Sequence, residues 1–300
     1  MVWHCSLQFL LGVNMEKFAF VILHYILSED TEECVQSIRD SIYGFKYRIY
    51  IVDNASSNES GKLLTSKYKF DDDICVICNK ENMGFARGNN IGIQMARRQG
   101  YDDFIVVLNN DVLLKQRKFC KLIQESYHRN NFAVLGPLIY TPQGICELSP
   151  GSQKILDGER LLNYERKIRI KRMLAKMHMH FCLNLFSCAK SLFKQKKKKI
   201  PELKENCWLH GCCLIFSKKY FMIFHGFDPR TFLYAEEDIL FAKCLRNGLK
   251  TVFDPSLSVY HKEYVSTKQI FKSSRERHLF RYSCILNALR IYKIVLKEIS

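Results

Sequence analysis

The chain has 300 residues and a formal net charge of +16, with 47% hydrophobic and 13% aromatic residues. That is enough apolar material for one large domain or two small ones, which excludes a disordered or fibrous chain. No run of ~18 uncharged apolar residues occurs, so no transmembrane helix is expected. The charge is uneven: residues 166–199 hold twelve Lys or Arg and no Asp or Glu, leaving about +4 for the rest.

Residues 1–14, MVWHCSLQFLLGVN, lack a basic n-region and a small-residue cleavage site. They read as an extension ahead of Met15 that adds nothing to the fold. Phe18 to Tyr25 is the first predicted strand. A helix follows with Asp30 as N-cap and Glu33 three residues on, running to Ser41. Tyr47 to Asp53 is a strand, Ser60 to Lys69 a helix and Ile74 to Cys78 a short strand. Asn82 to Gly92, NMGFARGNNIG, is a loop leading into a helix that ends near Arg98, and Phe104 to Asp111 is again a strand. This β-α-β-α-β-α-β order calls for an α/β fold: a Rossmann-like, mostly parallel central sheet with helices on both faces.

Beyond it, Ala133 to Tyr140 is strand-like and 141–160 is Gly- and Pro-punctuated loop. Residues 160–200 form a basic insertion in which Ile170, Leu174, Met177, Phe181, Leu185, Ala189 and Leu192 recur at helical spacing. A basic amphipathic helix suits an interface rich in anionic lipid. Trp208 to Ser217 is a strand, and GFDPRTFLYAEEDILFAKCLRNG is a loop running into a helix. Lys250 to Phe253 and Ser256 to Tyr260 are short strands, and 263–300 is a helical tail. The thirteen cysteines sit mostly in apolar runs and read as reduced cytosolic core thiols. Cys75-x-x-Cys78 lacks the second pair a zinc site needs.

Two strands end on an aspartate, at the sheet edge where open α/β folds bind ligands. Asp53 is a turn residue or an acceptor for a nucleobase or ribose. Asn109, Asn110 and Asp111 are a turn or a set of hard oxygen donors for Mg²⁺ or Mn²⁺. Gly84, Gly88 and Gly92 allow close helix–sheet packing or approach to a nucleotide, with Arg87 in reach of a phosphate. Glu236, Glu237 and Asp238 start a helix between FLY and ILF, where desolvation raises a carboxylate toward the range of a general base. His261 follows a strand-like run and is structural, a metal ligand or a phosphate contact.

In series, VDNASSN, NMGFARGNNIG, LNND and GFDPRTFLYAEEDILF resemble the inverting family 2 glycosyltransferases of the GT-A fold, above all rhamnosyltransferase-like and capsule or O-antigen enzymes. The resemblance implies a GT-A domain over 15–262, with a nucleotide-binding half (15–115) and an acceptor half (116–262). By it, Asp53 contacts the nucleoside of a UDP- or dTDP-sugar. Asn82, Gly84, Phe85, Arg87, Gly88, Asn89, Asn90, Asn109 and Asn110 form the nucleotide-sugar pocket. Asp111 and His261 hold a divalent metal, and Asn109 replaces the first Asp of the family's DxD-type motif. The family's Glu-Asp motif falls on Glu236 and Glu237, making Glu237 the base, with Asp238 and Glu236 as rivals. The acceptor is a saccharide or a polyprenyl-diphosphate-linked sugar, and the enzyme is cytoplasmic, peripheral at the inner face of the membrane through 166–199. The alternatives are a sugar-phosphate nucleotidyltransferase, whose Gly-rich basic loop after the first strand is here the acidic HYILSEDTEE, and a nucleic-acid-binding protein.

Overall fold

The computed structural model describes residues 16–146, 148–178, 199–263, 271 and 273–299. The expected 1–14 extension and the apolar positions Phe181 to Leu192 lie outside the described residues. In the first half, β1 (Lys17–His24), β2 (Lys46–Asp53), β3 (Ile74–Cys78) and β4 (Phe104–Asn109) alternate with α1 (Ser28–Ser41), α2 (Ser60–Lys67) and α3 (Gly84–Arg98). These strands pair in parallel in the order β3-β2-β1-β4. Phe18, Phe20 and Ile22 of β1 face one layer of the core while Ala19 and Val21 face the other, the two-residue period of a sheet covered on both sides.

The sheet continues through β9 (Cys213–Ser217), which runs antiparallel to both β4 and β6 (Val134–Thr141). β6 pairs in parallel with β10 (Thr251–His261). The two short strands expected at 250–260 are thus one strand, broken in register between Asp254 and Ser258. β5 (Val112–Leu113) folds back antiparallel on the end of β10, and α4 (Phe119–Asn130) connects to β6. β7 (Gly144–Ile145) forms a hairpin with β6, and β8 (Lys204–Glu205) pairs with β10.

Three further expectations are corrected. Asp30 is not the N-cap of α1; that position is Leu27, and Asp30 lies in the first turn, ion-paired with Lys262 at 2.8 Å. Residues 84–92 are not loop: α3 starts at Gly84, so the four-residue glycine spacing marks one helix face. A Cβ on Gly88 would lie 2.6 Å from Leu23, and one on Gly92 2.5 Å from Val21, so these glycines let α3 press onto β1. Residues 208–212 are not strand; β9 starts at Cys213.

The insertion and the tail pack on each other. α5 (Gly158–Lys176) buries Leu161, Ile168 and Ala175, spaced by seven, against Tyr282, Ile285, Leu289 and Tyr292 of α8 (Ser274–Glu298). The same cluster includes Ile239 and Phe241 of α7 (Glu236–Arg246), which follows the one-turn α6 (Lys218–Phe221). Leu162, Ile170, Met173 and Met177 stay exposed, within about 80° of one another on the helical wheel and roughly opposite the buried row. The helix therefore has two apolar faces, one filled by α8 and one open.

Candidate active site

The carboxyl edge of the sheet opens into a cleft of about 1210 Å³. Leu23, Tyr25 and Asn54 line it from the ends of β1 and β2; Asn82, Gly84 and Phe85 line it from the start of α3. Asn109, Asn110 and Asp111 follow from β4, His261 and Lys262 from β10, and Glu236 and Glu237 from α7. The rest of the wall comes from Pro142 and Gln143, from His210, Gly211 and Cys212 before β9, from Phe232, Leu233 and Tyr234 before α7, from Glu263, and from Phe271 and Phe280 of the tail.

The polar groups at the ends of β1 and β2 and the start of α3 are largely satisfied by one another. Asn54 donates to Asn82 Oδ1 at 2.9 Å and accepts from the Met83 N–H at 2.9 Å, tying β2 to α3. Gly84 has φ of +75°, and a Cβ there would collide with the Phe232 carbonyl, so only glycine fits this crossing. His24, fully buried, bonds Thr31 Oγ1 at 2.7 Å and Ser60 Oγ at 2.8 Å. Burial pushes its pKa down to about 4 against the opposing pull of Asp53, so it serves as a neutral link between the first turns of α1 and α2. Asn110 joins the same network through Thr31 Oγ1 and the Leu27 carbonyl, each at 3.2 Å.

Asp53 is at the sheet edge but outside the lining. It is buried, accepts from Ser56 N and Oγ, and packs on Gly61. Arg87 is exposed and turned back to the Met83 carbonyl. Gly88, Asn89 and Asn90 also lie outside it. Asn89 donates to the Phe85 carbonyl, and Asn90 clamps the backbone of Phe227 from both sides. Of the expected pocket residues, the structure brings Asn82, Gly84, Phe85, Asn109, Asn110, Asp111, His261, Glu236 and Glu237 together.

Antiparallel pairing of Val112 with His261 sets the imidazole beside the preceding aspartate: His261 Nε2 is 3.2 Å from Asp111 Oδ1. Among the described residues, no three His, Cys, Asp or Glu are grouped to hold a metal by themselves. A carboxylate and an imidazole opening on a cleft nevertheless fit Mg²⁺ or Mn²⁺, which take few protein ligands and complete their shell with substrate phosphates.

The acidic cluster divides by direction. Tyr234 and Ala235 both take left-handed backbone, φ 74° and 63°, a strained entry that turns the first residues of α7 into the cleft. Glu236 is 5% exposed and its Oε1 has no partner. Burial, then the neighbouring Glu237 charge, pushes its pKa up to about 8. Glu237 accepts from the Gly211 N–H at 3.2 Å, and burial raises it to about 7. Asp238 points elsewhere: it is outside the lining, accepts from the Trp208 side chain, and its charge acts on Tyr164 and Tyr292 of the helical layer. Burial raises it to about 6.

The sequence passed over His210, Asn54 and the aromatic wall from the tail. Gly211 inside an apparent strand was the available signal, since a strand glycine marks a bend or a close approach. A Cβ at 211 would sit 2.6 Å from Glu237 Oε1.

Comparison with known proteins decides the family: the profile described as "Glycosyl transferase family 2" matches residues 20–195. The chain belongs to glycosyl transferase family 2. An N-acetylglucosaminyl-diphospho-decaprenol L-rhamnosyltransferase of Mycobacterium tuberculosis is 24% identical over 229 residues, covering 73% of this chain and 67% of that protein. The low-salt glycan biosynthesis hexosyltransferase Agl10 of Haloferax volcanii is 25% identical over 131 residues, covering 44% and 39%. Among solved structures, S. aureus TarS 1-349 superposes with a TM-score of 0.51 at 14% identity, over 82% of this chain and 60% of that one. GalNAc-T7 with UDP, GalNAc and Mn²⁺ gives 0.57 at 14% identity, over 90% and 48%. This chain thus spans about half to three-fifths of those two chains. These likenesses establish the GT-A fold of this family 2 glycosyltransferase.

Proposed function

We propose that the protein transfers a sugar, with inversion, from a UDP- or dTDP-sugar to a saccharide acceptor carried on a polyprenyl diphosphate. One observation carries this reading: a single cleft joins the Asp111–His261 pair to Glu237, a carboxylate with pKa raised to about 7. The nucleoside lies along Asn54, Asn82, Gly84 and Phe85, with Asp53 bracing the turn beneath it through Ser56. The diphosphate faces Asn109, Asn110 and Asp111, and Asp111 with His261 would hold a divalent ion there. When bound, that ion supplies positive charge against the diphosphate.

Glu237 takes the proton of an acceptor hydroxyl, and the Gly211 N–H holds its carboxylate in place. The acceptor oxygen forms its bond to the anomeric carbon in line with the departing nucleoside diphosphate, so one displacement inverts the centre. Phe232, Tyr234, Phe271 and Phe280 shield that oxygen from water. Glu236, neutral near pH 7, is left as a hydrogen-bonding group beside the base.

The printed name of the mycobacterial relative includes a diphospho-decaprenol acceptor, which supports the lipid-linked class. So does α5, whose open face carries Leu162, Ile170, Met173 and Met177 around Arg166 and beside Lys167, Arg169 and Lys176, all exposed. That combination favours an anionic membrane surface. Among the described residues, no helix is long and apolar enough to cross a membrane.

The test is a donor screen by calorimetry and product assay with UDP-, dTDP- and GDP-sugars and Mn²⁺, followed by NMR of the product anomer. Transfer with inversion is expected; a retained anomer, or no donor bound, would refute the reading. For the membrane contact, Ile170→Glu with Met173→Glu is expected to abolish flotation with anionic vesicles and to spare transfer to a soluble acceptor. Unchanged flotation would remove this surface from the account.

A further inference from the structure

The cleft contains one histidine to which the reading above gives no task. His210 lies in the segment between Trp208 and β9 and lines the cleft. Its Nδ1 accepts the Cys212 N–H at 3.1 Å. That bond fixes the tautomer: with Nδ1 accepting, the proton sits on Nε2, and an imidazolium would set two N–H groups against each other. The ring is therefore held as a neutral donor. It is flanked edge-on by Trp208 at 6.1 Å and by His261 at 6.0 Å between centroids. Its location is as specific as its protonation. His261 is the partner of Asp111, and Gly211, the next residue, donates to Glu237. His210 thus stands between the diphosphate end of the cleft and the base.

The remaining polar side chains at the diphosphate end are mostly engaged. Lys262 pairs with Asp30 and Glu33, and Asn110 donates to Leu27 and Thr31. A departing diphosphate gains charge as the anomeric C–O bond breaks, and a preorganised N–H aimed at that charge lowers the barrier without reorganising.

We propose that His210 is a leaving-group donor: its Nε2–H bonds the β-phosphate oxygen that separates from the anomeric carbon. The inference rests on the transferase reading and adds a residue to it. The bond balance is simple. The acceptor oxygen bonds to the anomeric carbon, the bond from that carbon to the phosphate oxygen breaks with its electron pair on the oxygen, and the acceptor proton goes to Glu237. His210 gives no proton away; it donates a hydrogen bond that strengthens as charge develops.

Two substitutions separate this role from a structural one. His210→Gln keeps a donor near the Nε2 position and loses the acceptor for Cys212. His210→Asn keeps that acceptor and loses the distal donor. Calorimetry with Mn²⁺ uses UDP against UMP and dTDP against dTMP, and turnover uses whichever matching donor sugar the wild type consumes. His210→Asn is expected to lose affinity for the diphosphate about 10-fold and kcat about 10- to 100-fold, with monophosphate affinity unchanged. His210→Gln is expected to recover most of both. Recovery by His210→Asn instead, or equal losses for mono- and diphosphate, would assign His210 to holding the backbone at Cys212 and overturn the proposal. Wild-type activity in both variants would overturn it as well. If the wild type binds neither nucleotide pair, the transferase reading itself fails, an outcome visible before any variant is made.

Discussion

The first half of the sheet (residues 15–115) and the second (116–262) arrange their polar groups in opposite ways. In the first, the polar groups at the strand ends are tied to one another: Asn54 to Asn82, His24 to Thr31 and Ser60, Asn110 to Thr31. Such a surface is rigid before a ligand arrives, and binding loses little entropy. In the second, ionisable groups crowd together away from water: Glu236 Oε1 has no partner, and burial raises three consecutive carboxyls to about 8, 7 and 6. That arrangement costs stability and leaves carboxyls that titrate near neutrality, as the proposed base requires. On the proposed function, one half holds the ligand and the other reacts with it.

The comparison can be broken at several points. The largest expected effect is at the junction of the halves. Asp111→Ala should lower kcat/KM about 10³-fold in Mn²⁺, read by product assay, because the lining carboxylate paired with His261, proposed above to hold the divalent ion, is lost. Next is the rigidity of the first half. Gly84→Ala should destabilise by roughly 2–4 kcal/mol in urea unfolding, since a Cβ at positive φ meets the Phe232 carbonyl.

The second half predicts a pH signature. Transfer should rise with pH through about 7 as Glu237 ionises. The Asp238 charge is among the influences that raise Glu237, so Asp238→Asn should move this acid limb to lower pH while leaving the plateau rate near wild type. A collapsed plateau would make Asp238 the base. The smallest effect concerns stability. Burial raises Glu236 in the folded chain, so its favourable contribution is complete below its ordinary pKa near 4.5 and is lost as pH rises through about 8. The melting temperature of Glu236→Gln should therefore fall less than that of the wild type between pH 5 and 8.

The sequence carried the first half well, because parallel strands buried on both faces read as apolar runs and their ends as polar turns. β2 and β3 fall where those runs predict, whereas β4 stops at Asn109 and not at the expected Asp111, because Asn110 and Asp111 make the turn into β5. The glycines of α3 were legible only as a choice, and contacts with Leu23 and Val21 decide Gly88 and Gly92 for packing. The second half was harder, because its site is made by long-range pairing. His261 meets Asp111 only because β10 folds against β5, some 150 residues away in the chain. Phe271 and Phe280 reach the cleft from the tail, and His210 was masked by an apolar stretch that looked like uninterrupted strand. The apolar spacing of the insertion was visible, but Ile170 and Met177 face outward while Leu161, Ile168 and Ala175 make the buried row.

The division of labour between the halves is tested most directly by Glu237→Gln, with nucleoside diphosphate affinity and sugar transfer measured on the same preparation. The account predicts affinity within about 2-fold of wild type, and transfer reduced by about 10²- to 10⁴-fold. Transfer near the wild-type rate, or a loss of nucleotide binding equal to the loss of transfer, would contradict it.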